Sequence, residues 1–174
     1  KEYILVGVNT SPSFSPTFDS DHSGELQVFD LEECKIDPSN CHVATFNLGG
    51  QPDSVAVSPD NKYVAIAIEN ERDEDACHDT LGNLYSEFYG DDEGCEDAGY
   101  EFGRLPQPNP GELAVISNAN TTAPASWAVT KVTLTGLANV LYPTDPEPEY
   151  VSINSANKAL VSLQENNAFI VVDL

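Results

Sequence analysis

Residues 69–75 read Glu-Asn-Glu-Arg-Asp-Glu-Asp, a short run in which carboxylates and an amide crowd together. Such a run can supply several of the ~6–8 hard oxygen ligands that Ca²⁺ takes. Two further segments offer the same chemistry, Asp145-Pro146-Glu147-Pro148-Glu149 and Glu165-Asn166. The alternate prolines stiffen the first of these and hold its acids apart. The candidate metal ligands are therefore Glu69, Asn70, Glu71, Asp73, Glu147, Glu149, Glu165 and Asn166, and the expected ion is calcium. A second possible metal loop is Asp19-Ser20-Asp21-His22-Ser23-Gly24. It resembles the opening of a calcium loop, with Asp19, Asp21 and Ser23 as ligands and Asp30 at the twelfth place. The competing interpretation of every acidic run is a charged, solvated surface in which Arg72 partly neutralises its neighbours.

The catalytic inventory is thin. The chain holds no G-x-S-x-G elbow, phosphate-binding glycine loop or H-E-x-x-H pair. His22, His42 and His78 are scattered in or beside loops and read as solvated side chains. A phosphoester hydrolase would need clustered carboxylates, cations and a positive phosphate holder, for which Arg72 and Arg104 are the candidates. No catalytic residue is assigned, and the balance leans against an enzyme.

The net charge of −22 excludes a nucleic-acid footprint and disfavours an anionic membrane surface. No apolar run approaches the ~18 residues of a membrane span. The chain begins at Lys1 with neither Met nor a signal peptide, which reads as a processed or excerpted sequence. Asn9-Thr10-Ser11 and Asn120-Thr121-Thr122 are glycosylation sequons. With four cysteines, they point to a secreted or cell-surface protein.

What must position these residues is a repeat. PDSVAVSPDNKYVAIAIENE at 52–71 aligns without a gap on PEYVSINSANKALVSLQENN at 148–167, at an offset of 96. Each copy reads as a hairpin around a turn rich in Pro, Asp, Asn and Ser. Lys1–Val8 matches the second strand of that hairpin. Gly24–Leu31, Gly111–Ile116 and Phe169–Leu174 read as third strands, and His42–Leu48 and Trp127–Leu134 as fourth strands. Four-stranded antiparallel units in series predict an all-β fold built of β-propeller blades. The blades span 1–48, 49–134 with an insertion at 71–110, and 135–174, which is under three blades of an incomplete propeller. Further blades of the same propeller, or further copies, would complete it. An open β-sandwich is the other fold considered, and it leaves the repeat unexplained.

Antiparallel order sends the loops 9–23, 69–110 and 164–167 to one face, the top, with the connections 49–53 and 135–149. Loops 32–41 and 117–126 lie on the bottom. Three disulfide pairings are open to four cysteines. Strands of six or seven residues separate the faces by roughly 20 Å, and a disulfide needs Cα atoms ~4.4–6.8 Å apart. The expected pairs are therefore Cys34–Cys41 and Cys77–Cys95. Of the sequons, Asn9 should lie at a top-face strand end and Asn120 in an exposed bottom loop.

The segments GQPDSVAVSPDNKYVAIAIENERDED, GRLPQPNPGELAVIS and DPEPEYVSIN with LVSLQENNAFIVVDL carry a resemblance. They look like the choice-of-anchor I family and are similar to the mesenchyme-specific cell-surface glycoproteins. The resemblance covers about 49–75 and 103–174, leaving the cysteine-bearing insert apart. It implies an extracellular propeller, and some members carry alkaline-phosphatase or phytase-like labels. The expected function is an extracellular, calcium-stabilised propeller with a binding, adhesion or surface and matrix assembly role, facing a protein or matrix partner. The alternative is a calcium-dependent phosphoester hydrolase of propeller type.

Overall fold

The computed structural model describes residues 2–12, 22–71, 75–79, 85, 87, 90–103, 110–121 and 123–174. Three antiparallel sheets carry the fold, with a two-stranded ribbon in the insertion. The first sheet holds β1 (Tyr3–Asn9), β2 (Gly24–Asp30) and β3 (His42–Asn47) in that order. The second adds β4 (Pro52–Val57) and β5 (Tyr63–Ile68). After the ribbon β6 (Cys77–His78) and β7 (Glu101–Phe102), it is completed by β8 (Glu112–Ser117) and β9 (Val129–Thr133), in the order β4-β5-β8-β9. The third holds β10 (Pro148–Ile153), β11 (Lys158–Leu163) and β12 (Ala168–Asp173). The strand β4 packs beside both β1 and β10, so the three sheets stand face to face in series and do not close on themselves.

Two apolar layers hold the sheets together. Leu26 and Val28 of the first sheet, with Leu48 just after β3, meet Val64, Ile66, Ile68 and Ile116 of the second. Ala65, Ala67, Leu113 and Val115, on the other face of the second sheet, meet Val151, Ala159, Val161 and Leu163. Each fully buried aliphatic side chain contributes roughly 1.5–3 kcal/mol. The middle sheet is covered on both faces, which is why β5 is apolar at every position. Each outer sheet leaves one face open, and there Ile4, Leu160, Phe169 and Val171 are exposed.

Glycine makes the seams close. Gly24 and Gly111 precede the apolar residues of third strands, and a Cβ on either would run into the ring of the next sheet's leading proline, Pro52 or Pro148.

Three features correct the expectations from sequence. The gapless repeat is interrupted in the fold. The β4–β5 hairpin closes with Ser58 N–H on Tyr63 O at 2.9 Å, while the β10–β11 hairpin closes one residue sooner, Asn154 N–H on Lys158 O at 3.0 Å. Val161 therefore pairs with Val151 where Ile66 pairs with Val55, an offset of 95 in the second strand. A one-residue slip turns the whole strand over, so Leu160 faces out rather than into the core. Secondly, two expected loops contain short helices, α1 (Leu31–Ile36) and α2 (Asp92–Asp97). Asp30 ends β2 and caps α1, its Oδ1 accepting the N–H groups of Glu32 at 3.1 Å and Glu33 at 3.3 Å. That carboxylate was the twelfth place of the candidate calcium loop. Thirdly, His22 is buried rather than solvated, and its Nε2–H donates to Glu71 O at 2.8 Å.

Both expected disulfides are present. Cys34–Cys41 has a Cα separation of 4.8 Å and Cys77–Cys95 one of 5.9 Å. The second ties β6 to α2 in the insertion, where Tyr85 stacks on Tyr100 at 4.4 Å. Among the described residues no helix is long and apolar enough to cross a membrane.

Candidate functional site

The candidate residues gather where the second and third sheets begin their first strands and end their second. The backbone geometry there is set by two asparagines. Asn70 sits at φ 50°, a left-handed conformation that Asn tolerates better than most residues. Its Oδ1 accepts Gln51 N–H at 2.8 Å, and Glu69 N–H donates to Gln51 O at 2.9 Å. In the third sheet the Oδ1 of Asn166 accepts Glu147 N–H at 3.0 Å. The Nδ2 of Asn166 donates to Asp145 O at 2.9 Å, Leu141 O at 2.9 Å and Tyr142 O at 3.2 Å. Both amides are buried and engaged with backbone. They shape the edge on which the carboxylates stand.

Around this frame the acids are close enough to perturb one another. Half-burial of Glu69, followed by the charges of Asp53, Glu71, Glu149 and Glu147, pushes its pKa up to about 8. Glu149 is also raised, first by burial and then by Asp53, Glu165 and Glu71. Asp53 is exposed at the start of β4, and partial desolvation of its carboxyl raises it. Carboxylates that share a field in this way oppose one another's ionisation. Glu147 is buried, Glu149 half-buried, and Glu71 and Glu165 exposed. The unequal burial of Glu69 and Glu165 accompanies an extra residue in the third sheet between Leu163 and Asn166, which restores the offset of 96.

Asp53 and Gln51 were missed in the sequence reading. The signal was present, because the offset of 96 lays Asp53 over Glu149 and Gln51 over Glu147. Gln51 is buried, and its Nε2 lies 3.5 Å from Glu71 Oε2. Oxygen donors dominate this edge, which suits a hard cation. Among the described residues, no three His, Cys, Asp or Glu side chains form a ready-made metal cage.

The remaining candidates lie apart. Asp73, Asp19, Asp21, Arg72 and Arg104 lie outside the described residues. Ser23 is held to the neighbouring loop, its Oγ 2.9 Å from Thr10 Oγ1 and its N–H on Ser11 Oγ at 3.0 Å. Asn9 is exposed, with Oδ1 accepting Ser11 N–H at 2.8 Å. Asn120 is exposed in the turn after β8, and its Nδ2 donates to Asp60 O at 3.2 Å.

No curated protein and no solved structure matches this chain. The sequence model of the choice-of-anchor I domain matches residues 3–174, nearly the whole chain. The chain therefore belongs to the choice-of-anchor I domain family.

Proposed function

We propose that this domain is part of an extracellular, calcium-stabilised β-propeller that serves binding, adhesion or surface and matrix assembly. The observation that carries the reading is the convergence of Asp53, Glu69, Glu71, Glu147 and Glu149 from two adjacent sheets, close enough to raise the pKa of Glu69 and Glu149. A bound cation relieves that repulsion without requiring every group to take up a proton. Two disulfides suit an oxidising compartment, and the sequons at Asn9 and Asn120 both lie on exposed residues.

The open sheet faces support further blades, from the same propeller or from other copies. By strand pairing, Leu160 and Val171 occupy the places that Ala65 and Val115 hold in the second sheet. Those two residues are buried against the third sheet, whereas Leu160 and Val171 are 49 % and 59 % exposed. Covering such a face with another sheet repeats the packing already present twice.

The test is a melting curve of the intact protein with calcium and with EGTA, together with a phosphoester turnover assay. Calcium should raise the melting temperature by mass action, with no turnover. Turnover that disappears with EGTA and in Glu69→Gln would replace this reading with a calcium-dependent phosphoester hydrolase.

A further inference from the structure

The two seams between the sheets are built alike. Leu26 and Val28, on one face of the first sheet, meet Val64, Ile66 and Ile68 of the second. Leu113 and Val115, on the far face of the second sheet, meet Ala159, Val161 and Leu163 of the third. Each sheet thus has a forward face, which receives the next sheet, and a rear face, which is set on the sheet before. The forward face of the third sheet carries Leu160, Phe169 and Val171, since Leu160 pairs with Val171 and Ser162 with Phe169. The rear face of the first sheet carries Ile4, Val6 and Val8, because the residues between them, Leu5 and Gly7, pair with the inward Val28 and Leu26. Tyr3–Val8 matches Tyr63–Ile68 in sequence, so Ile4, Val6 and Val8 hold the places of Val64, Ile66 and Ile68. Phe29, opposite Ile4, holds the place of Ile116, opposite Val64. Inside a seam those places are closed, with Val64 at 1 % and Ile66 at 0 % exposure, whereas Ile4 is 41 % and Val6 39 % exposed.

We propose that these two open faces are the halves of one more joint, made when a second copy of this chain sets the rear face of its first sheet on the forward face of the third sheet. The occupant follows from the chain's own packing. In both seams a forward face is covered by a rear face, and a second copy presents such a face with aliphatic side chains at the matching places. A contact between two different faces is heterologous, and it either closes into a ring or runs on as a filament. Two copies supply six sheets, within the ~4–8 of closed propellers, so two such joints close a ring. Charged groups at the two faces are already engaged, Glu25 by Gln27 Nε2 at 3.3 Å and Lys158 by Asp173. Neither pair carries a lone charge into the joint. This inference rests on the reading of the sheets as blades and names the copy that covers them.

The experiment is sedimentation velocity of the intact protein across a range of concentrations, comparing wild type with Leu160→Asp, Val6→Asp and an equal mixture of the two variants. Wild type should sediment as a dimer. Each variant alone should weaken association by about a hundredfold or more, because a carboxylate would enter an apolar seam. The mixture should recover dimers, since one of its two joints then has both faces unaltered. Melting curves identify any variant that fails to fold, and Ile4→Asp and Val171→Asp alter the same two faces independently. A wild type that stays monomeric overturns the second copy as occupant and leaves the blade reading standing. Dimers lost in Leu160→Asp but kept in Val6→Asp would show third sheets pairing with each other, which also overturns it. Neither result bears on the calcium reading, which the melting curves with calcium and EGTA decide.

Discussion

Asn70 and Asn166 make the same hydrogen bond in neighbouring sheets. Each offers its Oδ1 to the backbone N–H immediately preceding a leading proline, Gln51 before Pro52 and Glu147 before Pro148. A residue pair conspicuous for its oxygens thus serves first to tie the end of one strand to the start of its partner. The carboxylates beside it inherit their positions from that tie.

Replacing either asparagine with alanine should therefore cost stability. The loss leaves a buried N–H without its acceptor, which costs about 1–3 kcal/mol. At Asn70 the left-handed backbone adds about 1 kcal/mol for alanine. Both Asn166→Ala and Asn166→Asp remove the Nδ2 donor from three carbonyls, but Asn166→Asp should be worse, because it buries a negative charge against those carbonyl oxygens and near Glu147. Chemical denaturation of the intact protein measures all three.

The sheet seams should reject a methyl group. Gly111→Ala would press a Cβ against the Pro148 ring and the backbone oxygens of Pro146 and Glu69, and Gly24→Ala would meet Pro52 and Gly50 O in the same way. Overpacking of this kind costs about 1–3 kcal/mol. Adding Pro148→Ala to Gly111→Ala should recover part of the loss by removing the ring. Thermal melts showing Gly111→Ala at or above wild-type stability would contradict the seam.

The acidic edge should give stability a distinctive pH dependence in the absence of divalent cations. Glu69 is raised from its ordinary 4.5 to about 8 by burial and by Asp53, Glu71, Glu149 and Glu147. Its contribution is full below the unfolded value and is lost as pH rises through the folded one. In EDTA the melting temperature should therefore drop between about pH 5 and about pH 9, and Glu69→Gln should flatten that drop. Asp60 has the opposite sign. Hydrogen bonds from Asn157, Ser58 and the Lys62 backbone hold its carboxyl well below the ordinary range. Its stabilisation is present above the ordinary carboxylate value and is lost only on strong acidification. A melting profile of wild type that does not fall on alkalinisation would contradict the assignment for Glu69.

The disulfides should open in order. Cys77 and Cys95 are fully buried, whereas Cys34 is partly accessible. Mild reductant should cleave Cys34–Cys41 first. Loop length predicts losses of about 2.5 kcal/mol for that bridge and about 3 kcal/mol for Cys77–Cys95. Timed alkylation followed by peptide mapping reads the order, and earlier opening of Cys77–Cys95 would contradict it.

The all-β character, most strand positions and both disulfides were legible because they rest on local signals. Val, Ile and Tyr runs between Pro, Asn and Gly turns mark strands wherever they occur. Face assignment needed only strand count and strand length, and it placed each cysteine pair in one loop. The helix α1 was not legible, although Asp30 followed by Glu32 and Glu33 is a capping signal. The strong strand pattern of β2 masked it. The burial of His22 was not legible either, since its partner is a backbone carbonyl 49 residues away.

The sequence by itself determined that two hairpins repeat and that carboxylates cluster at their open ends, because residue type and spacing are properties of the chain. Tertiary structure alone decided which of those groups tie the backbone together and which stand beside that tie as carboxylates. The single-residue difference between the Ser58–Tyr63 and Asn154–Lys158 closures reverses the faces of one strand. No identity in the alignment records that reversal, because register is fixed by the core each strand must face. In the same way, Asp53 and Gln51 became candidates only when the sheets brought them beside Glu69 and Glu71. The charge interaction and the buried amide belong to distances in space, and those exist only once the sheets have packed.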